Sequence, residues 1–180
     1  INYRLSHQAH FPAAIHDCKS AVRWLRAHAK AYHIDPDRIG VGGGSAGAHL
    51  ASLLGVTNNL PELEGDGPHR EQNSSVKAVF SFAPVTDLVR IPDDHDEQHS
   101  LVAVSRLFLG APVRERDTLA RQASPLHHVA STNPPHLFLH GDADTVVPCV
   151  HSQVMHEALL QAGVDSELII VPDGGHGSGM

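Results

Sequence analysis

The sequence predicts an α/β protein built on a mostly parallel sheet flanked by helices on both faces. Three observations predict it. Short runs rich in β-branched and aromatic residues alternate with longer segments of helical periodicity. Loops rich in Gly, Pro and Asp separate the two kinds of segment. The residues best suited to chemistry stand just after strands, where sites gather in parallel sheets. The length of 180 residues suits a single domain with a sizeable core.

Ile1–Leu5 alternates apolar and polar residues and reads as a short strand. Pro12 suits a first helical position, and Ile15, Cys18, Val22, Leu25 and Ala29 follow at steps of three and four, giving a helix with one apolar face. Asp35-Pro36 ends that element, because the residue before a proline is pushed out of the helical region. Arg38–Gly42 reads as a strand and Ala46–Val56 as a helix whose small residues allow close packing on a sheet. Residues 58–75 are polar and turn-rich, hence loop, and Val76–Phe82 is the next strand. Residues 83–133 are the least regular part, with helical patches at Ser100–Leu109 and Arg114–Ala123. His136–His140 is a strand, Pro148–Ala162 a helix stopped by Gly163, and Glu167–Val171 the last strand.

Composition removes several function classes. A formal charge of −7 without a Lys/Arg cluster argues against nucleic-acid binding. No run of eighteen apolar residues predicts a membrane span. Two cysteines, Cys18 and Cys149, are too few for a disulfide framework and sit in no metal-ligand spacing; they read as small hydrophobes, with a single bridge left open.

The candidate chemistry centres on Ser45, inside Gly43-Gly44-Ser45-Ala46-Gly47 and between a predicted strand and a predicted helix. A sharp strand-to-helix turn projects such a serine into open space, and glycines give the turn room. The helix N-terminus behind it offers free N–H groups to a developing oxyanion, the N–H of Ala46 among them. A serine hydroxyl needs a base, and the base needs a carboxylate to orient it. Asp144 follows the strand His136–His140, and His176 follows the strand Glu167–Val171. Asp142 is the rival acid, otherwise read as a turn or cap residue.

Together with His140-Gly141-Asp142-Ala143-Asp144-Thr145-Val146-Val147-Pro148 and Gly174-Gly175-His176-Gly177, the serine pentapeptide resembles the α/β-hydrolase esterases. Within them the chain looks closest to the bacterial esterase/lipase group of acetyl xylan and feruloyl esterase-like enzymes. Asn2-Tyr3-Arg4-Leu5 and Asp35-Pro36-Asp37-Arg38-Ile39 add to the likeness. The resemblance implies Ser45 as nucleophile, His176 as base and Asp144 rather than Asp142 as acid. It implies hydrolysis of small-molecule carboxylic esters with no cofactor and no metal. It also implies early strands and a His-Gly-Gly loop, bearing a second oxyanion donor, that this segment lacks, so the fold is expected to be N-terminally incomplete. An uncovered sheet edge of that kind is open to self-association. Two other readings stay open: a serine peptidase of the prolyl oligopeptidase type, and a hydrolase-fold module without catalysis.

Other features read more plainly. Asp93–His99 holds metal-ligand residue types at no established spacing and reads as a solvated loop. His127-His128 reads as surface, and Trp24 as packing on the first helix. Asp87 stands after a strand, where it either lines a pocket or caps a turn.

Overall fold

Four parallel strands carry the architecture in the computed structural model, which describes residues 1–58, 60–91 and 100–177. They are β1 (Val41–Gly44), β2 (Val79–Phe82), β3 (His136–Gly141) and β4 (Ser166–Val171), neighbours in the sheet in chain order. Val41, Val79, His136 and Ser166 stand side by side, as do Gly44, Phe82, Leu139 and Ile169. The helices are α1 (Ala13–Ala27), α2 (Ala46–Val56), α3 (Ser100–Leu109), α4 (Asp117–Ala123) and α5 (Val150–Gln161). The α/β class expected from the sequence is the one found.

α2 is apolar on all sides and accordingly buried along its length from Ala48 to Val56. Leu50, Leu53 and Leu54 meet Ile15, Cys18 and Val22 of α1 in the main core. A second cluster joins Phe138 of β3 to Met155 and Leu159 of α5, with Val56 and Val164. Gly163 has φ +78°, and the Val164 N–H behind it donates to Leu159 O, so the expected stop of α5 is a left-handed glycine. Both cysteines are free thiols, Cys18 buried and Cys149 partly so.

Polar residues fasten α1 to the 58–75 loop. Lys19 and Arg23 are buried at 0% and 2% exposure, and both reach Glu64, at 2.7 and 2.8 Å. Lys19 also donates to Thr57 O, and Ser74 Oγ–H donates to the same carboxylate. Burial pushes the Glu64 carboxyl up, yet Lys19, Ser74 and Arg23 outweigh it and hold the group below its ordinary range.

Two expectations are corrected. Ile1–Leu5 is not a strand: the Arg4 and Leu5 N–H groups go to the side chains of Asp17 and Gln8 instead of a ladder. The strands after α1 and α2 begin later than their apolar runs, at Val41 and Val79. α2 and α5 cover the same face of the sheet. α2 meets the face carrying Ser81, through Ser52 at 2.8 Å, and α5 meets the same face at His140, through Ser152. The opposite face leaves Phe80 and Ile169 42% and 43% exposed. The stretch Asp93–His99 lies outside the described residues.

Candidate active site

The site forms where three strands end. β1 runs directly into α2 through Ser45, whose φ of 52° and ψ of −118° lie in a region that L-residues rarely enter. The surroundings hold it there: the Ser45 N–H donates to Phe82 O at 2.8 Å, and its carbonyl accepts the His49 N–H at 2.9 Å. Gly43 is needed for close approach, because a Cβ there would run into the Gly47 carbonyl and the Ala48 nitrogen. A Cβ on Gly47 would meet nothing within 4 Å, so the two outer glycines of the pentapeptide differ in kind. Ala46 is the first residue of α2, where a backbone N–H has no partner within the helix.

The loops after β3 and β4 are locked together by backbone. Gly141 lies so close to Gly174 that a Cβ would enter the Gly174 carbonyl, and the Ala143 N–H donates to that carbonyl at 3.0 Å. The Asp142 N–H donates to Val171 O at 3.2 Å, and the Asp173 N–H donates to Asp142 Oδ1 at 2.7 Å. Asp142 therefore ties the two loops together, a long-range role that is neither the acid's nor the local turn or cap the sequence suggested.

Asp144 points inward, with its side chain fully buried. Its Oδ1 accepts the N–H groups of Val146 and Val147, both at 2.9 Å, and its Oδ2 accepts His176 Nδ1–H at 2.7 Å. His176 Nε2 lies 2.9 Å from Ser45 Oγ. Burial raises the Asp144 carboxyl, but His176 and the two backbone donors outweigh it and keep it below the ordinary range, hence ionised at neutral pH. With Nδ1–H donated to a carboxylate, Nε2 is left as the acceptor facing the serine hydroxyl.

A cavity of about 390 Å³ adjoins Ser45 and Ala46. Leu50, Leu88, Leu101, Phe108 and Val146 make its wall predominantly apolar. His49 also lines it, with Nδ1 on Val85 O at 2.8 Å and its ring edge-on to Phe108; burial keeps it neutral. The pocket residues on α3, and His49, carried no signal in the sequence beyond helical periodicity.

The remaining candidates lie elsewhere. Asp87 caps the turn at Leu88–Arg90 by accepting the Val89 N–H, and it pairs with Arg90 at 3.2 Å. His127 is surface-exposed and 3.4 Å from Asp87, while His128 bonds Gln122 O. Trp24 stacks on His28 at 4.3 Å. No group of three or more His, Cys, Asp or Glu side chains placed to hold a metal ion occurs among the described residues. No helix among them is long and apolar enough to cross a membrane.

A parallel sheet with a strand–serine–helix turn, and an acid and a histidine on the next two loops, defines the class: this is the α/β-hydrolase fold of the esterases. Known proteins narrow it. Esterase LipQ of Mycobacterium tuberculosis is 34% identical over 163 residues, covering 91% of this chain and 38% of that protein. The solved structure of a truncated carbohydrate esterase from gut microbiota is 34% identical with a TM-score of 0.90, over 98% of this chain and 66% of that one. Butyrate-bound esterase Est2 of Thermogutta terrifontis is 31% identical with a TM-score of 0.77, over 98% of this chain and 61% of that one. The chain belongs to the BD-FAE family, whose model matches residues 1–159. It spans 37 to 44% of the length of three curated mycobacterial relatives.

Proposed function

We propose that the chain carries the catalytic apparatus of a serine carboxylic ester hydrolase acting through an acyl-enzyme. Ser45 Oγ attacks the ester carbonyl while His176 Nε2 takes its proton. Asp144 orients the imidazole and stabilises the imidazolium that forms. The Ala46 N–H, at the start of α2, donates to the oxyanion. His176 returns the proton to the departing alcohol, then draws one from water as it attacks the acyl-enzyme, and passes it to Ser45 Oγ as the acid leaves.

One observation carries the reading: the continuous hydrogen-bond chain from Ser45 through His176 to Asp144, at 2.9 and 2.7 Å, from three separate loops. The apolar cavity beside Ser45 supports a small uncharged acyl group as substrate, short-chain or aromatic such as acetyl, butyryl or feruloyl. The butyrate bound to the Thermogutta esterase is consistent with that size.

Labelling with a fluorophosphonate probe, beside hydrolysis of p-nitrophenyl acetate and butyrate, tests the proposal against Ser45→Ala. Wild-type protein is expected to label and turn over, and the variant to do neither. Wild-type protein that neither labels nor exceeds the variant would make the chain a non-catalytic hydrolase-fold module.

A further inference from the structure

Asp144 has a second histidine behind it. His140, the penultimate residue of β3, is completely buried, and its Nε2 lies 2.9 Å from Val147 O and 3.3 Å from Asp144 Oδ2. Its Nδ1 lies 2.7 Å from Ser152 Oγ in the first turn of α5. These partners settle the tautomer. A carbonyl and a carboxylate can only accept, so Nε2 carries the proton; Nδ1 then accepts from the Ser152 hydroxyl. Burial pushes the imidazolium form of His140 below its ordinary range, against the opposing pull of Val147 O and Asp144, so the ring is neutral.

We propose that His140 is a positioning residue for the ester hydrolysis: its Nε2–H, shared by Val147 O and Asp144 Oδ2, fixes the carboxylate that orients His176. The proposal rests on the reading of Ser45, His176 and Asp144 as a triad. Asp144 accepts three N–H groups, two on Oδ1 and His176 Nδ1–H on Oδ2, and His140 Nε2 stands 3.3 Å from that same Oδ2. The carboxylate has no freedom to rotate about its own axis without breaking two of them. The second donor on Oδ2 also draws charge from the oxygen that faces His176, and so moderates how strongly the imidazolium is held.

The other titratable groups about this centre are His176, Asp142 and Asp144 on the loops, Cys149 just before α5, and His151 on α5 with Asp87, Arg90 and His49 around it. Burial pushes His151 down to about 4 and raises the Cys149 thiol, so neither changes charge between pH 5 and 8. A shift of the acid limb in that range therefore comes from neither of them.

The test compares His140→Leu and His140→Gln with wild type, following the rate of Ser45 labelling by a fluorophosphonate from pH 5 to 9. Leucine fills the space without an N–H. A glutamine amide nitrogen falls where the imidazole Nε2 was and donates in its place. The leucine variant is expected to label about ten-fold more slowly at the plateau. Its acid limb should also move to higher pH by about half a unit or more, because an undivided Oδ2 charge favours the imidazolium. The glutamine variant should keep the wild-type limb. A folded leucine variant with the wild-type profile would overturn the proposal. So would a uniform fall with the limb unmoved, or a glutamine variant no better than leucine. Nitrogen NMR of the wild-type histidines, with His140 assigned from the glutamine variant, decides the matter even where leucine prevents folding. His140 must stay in the neutral Nε2–H form throughout; titration or an Nδ1–H form refutes the proposal. Wild-type protein that does not label at all would instead remove the triad reading, and this inference with it.

Discussion

Replacing Asp144 by asparagine sets two penalties against each other, and their sizes decide the outcome. The carboxylate accepts Val146 and Val147 N–H on one oxygen and His176 Nδ1–H on the other. Asparagine has one acceptor oxygen and one NH₂ group, so the donors on one side must face another donor. Turning the NH₂ toward the backbone strands two buried N–H groups, at about 1–3 kcal/mol each. Turning it toward His176 costs less, because the imidazole can change tautomer and accept the amide hydrogen at Nδ1. The proton then sits on Nε2, pointing at Ser45, and the base is lost. Asp144→Asn is therefore expected to fold with a Tm near wild type and to lose about 10⁴ in kcat, some 5.5 kcal/mol of transition-state stabilisation. KM should change little. The assay is p-nitrophenyl acetate hydrolysis with thermal unfolding of the same samples. A folded Asp144→Asn protein retaining a tenth of wild-type kcat would refute the reasoning, and with it the assignment of Asp144 over Asp142.

Two further outcomes follow from the packing. Glu64→Gln leaves Lys19 and Arg23 buried without their anion. The expected loss is about 3–5 kcal/mol, read as a lower midpoint in urea unfolding. Because the Glu64 carboxyl is held below its unfolded value of 4.5, its contribution is complete above that pH and lost as pH falls through the lower folded value. Wild-type Tm should fall across that acid window, and the glutamine variant should lack that part of the slope. Gly43→Ala, which forces a Cβ into the α2 backbone, should cost about 1–3 kcal/mol and displace Ser45. Gly47→Ala, with open space around its Cβ, should raise stability by about 0.5–1 kcal/mol. Thermal denaturation of the pair tests the contrast, and equal destabilisation would count against it.

Much of this was legible in the residues. Ser45, Asp144 and His176 each follow a strand, and the structure brings these three into one hydrogen-bonded line. Gly163 announced the end of α5, and the Asp87 cap was one of two readings offered. What escaped was decided by long-range partners. The Ile1–Leu5 alternation looks like a strand, but its backbone is taken up by Asp17 and Gln8. Lys19 and Arg23 on α1 drew no reading from the sequence, and only Glu64, 45 and 41 residues away, makes their burial tolerable. His140 was one of sixteen histidines, identical in the sequence to those on the surface. Its neighbour Ser152 comes from another element, and no periodicity connects them.

The contact between Gly141 and Gly174 divides the site into a fixed part and an adjustable one. The spacing of acid and base is written into main-chain geometry, reinforced by the Asp142 side chain on the Asp173 N–H. The wall contributed by Leu101 and Phe108 stands on α3, in a different part of the chain, and touches neither loop's defining bonds. An engineer seeking a new acyl preference can therefore randomise α3 broadly while leaving the acid–base pair intact. Randomising the two glycines would scatter the pair however well the pocket fitted.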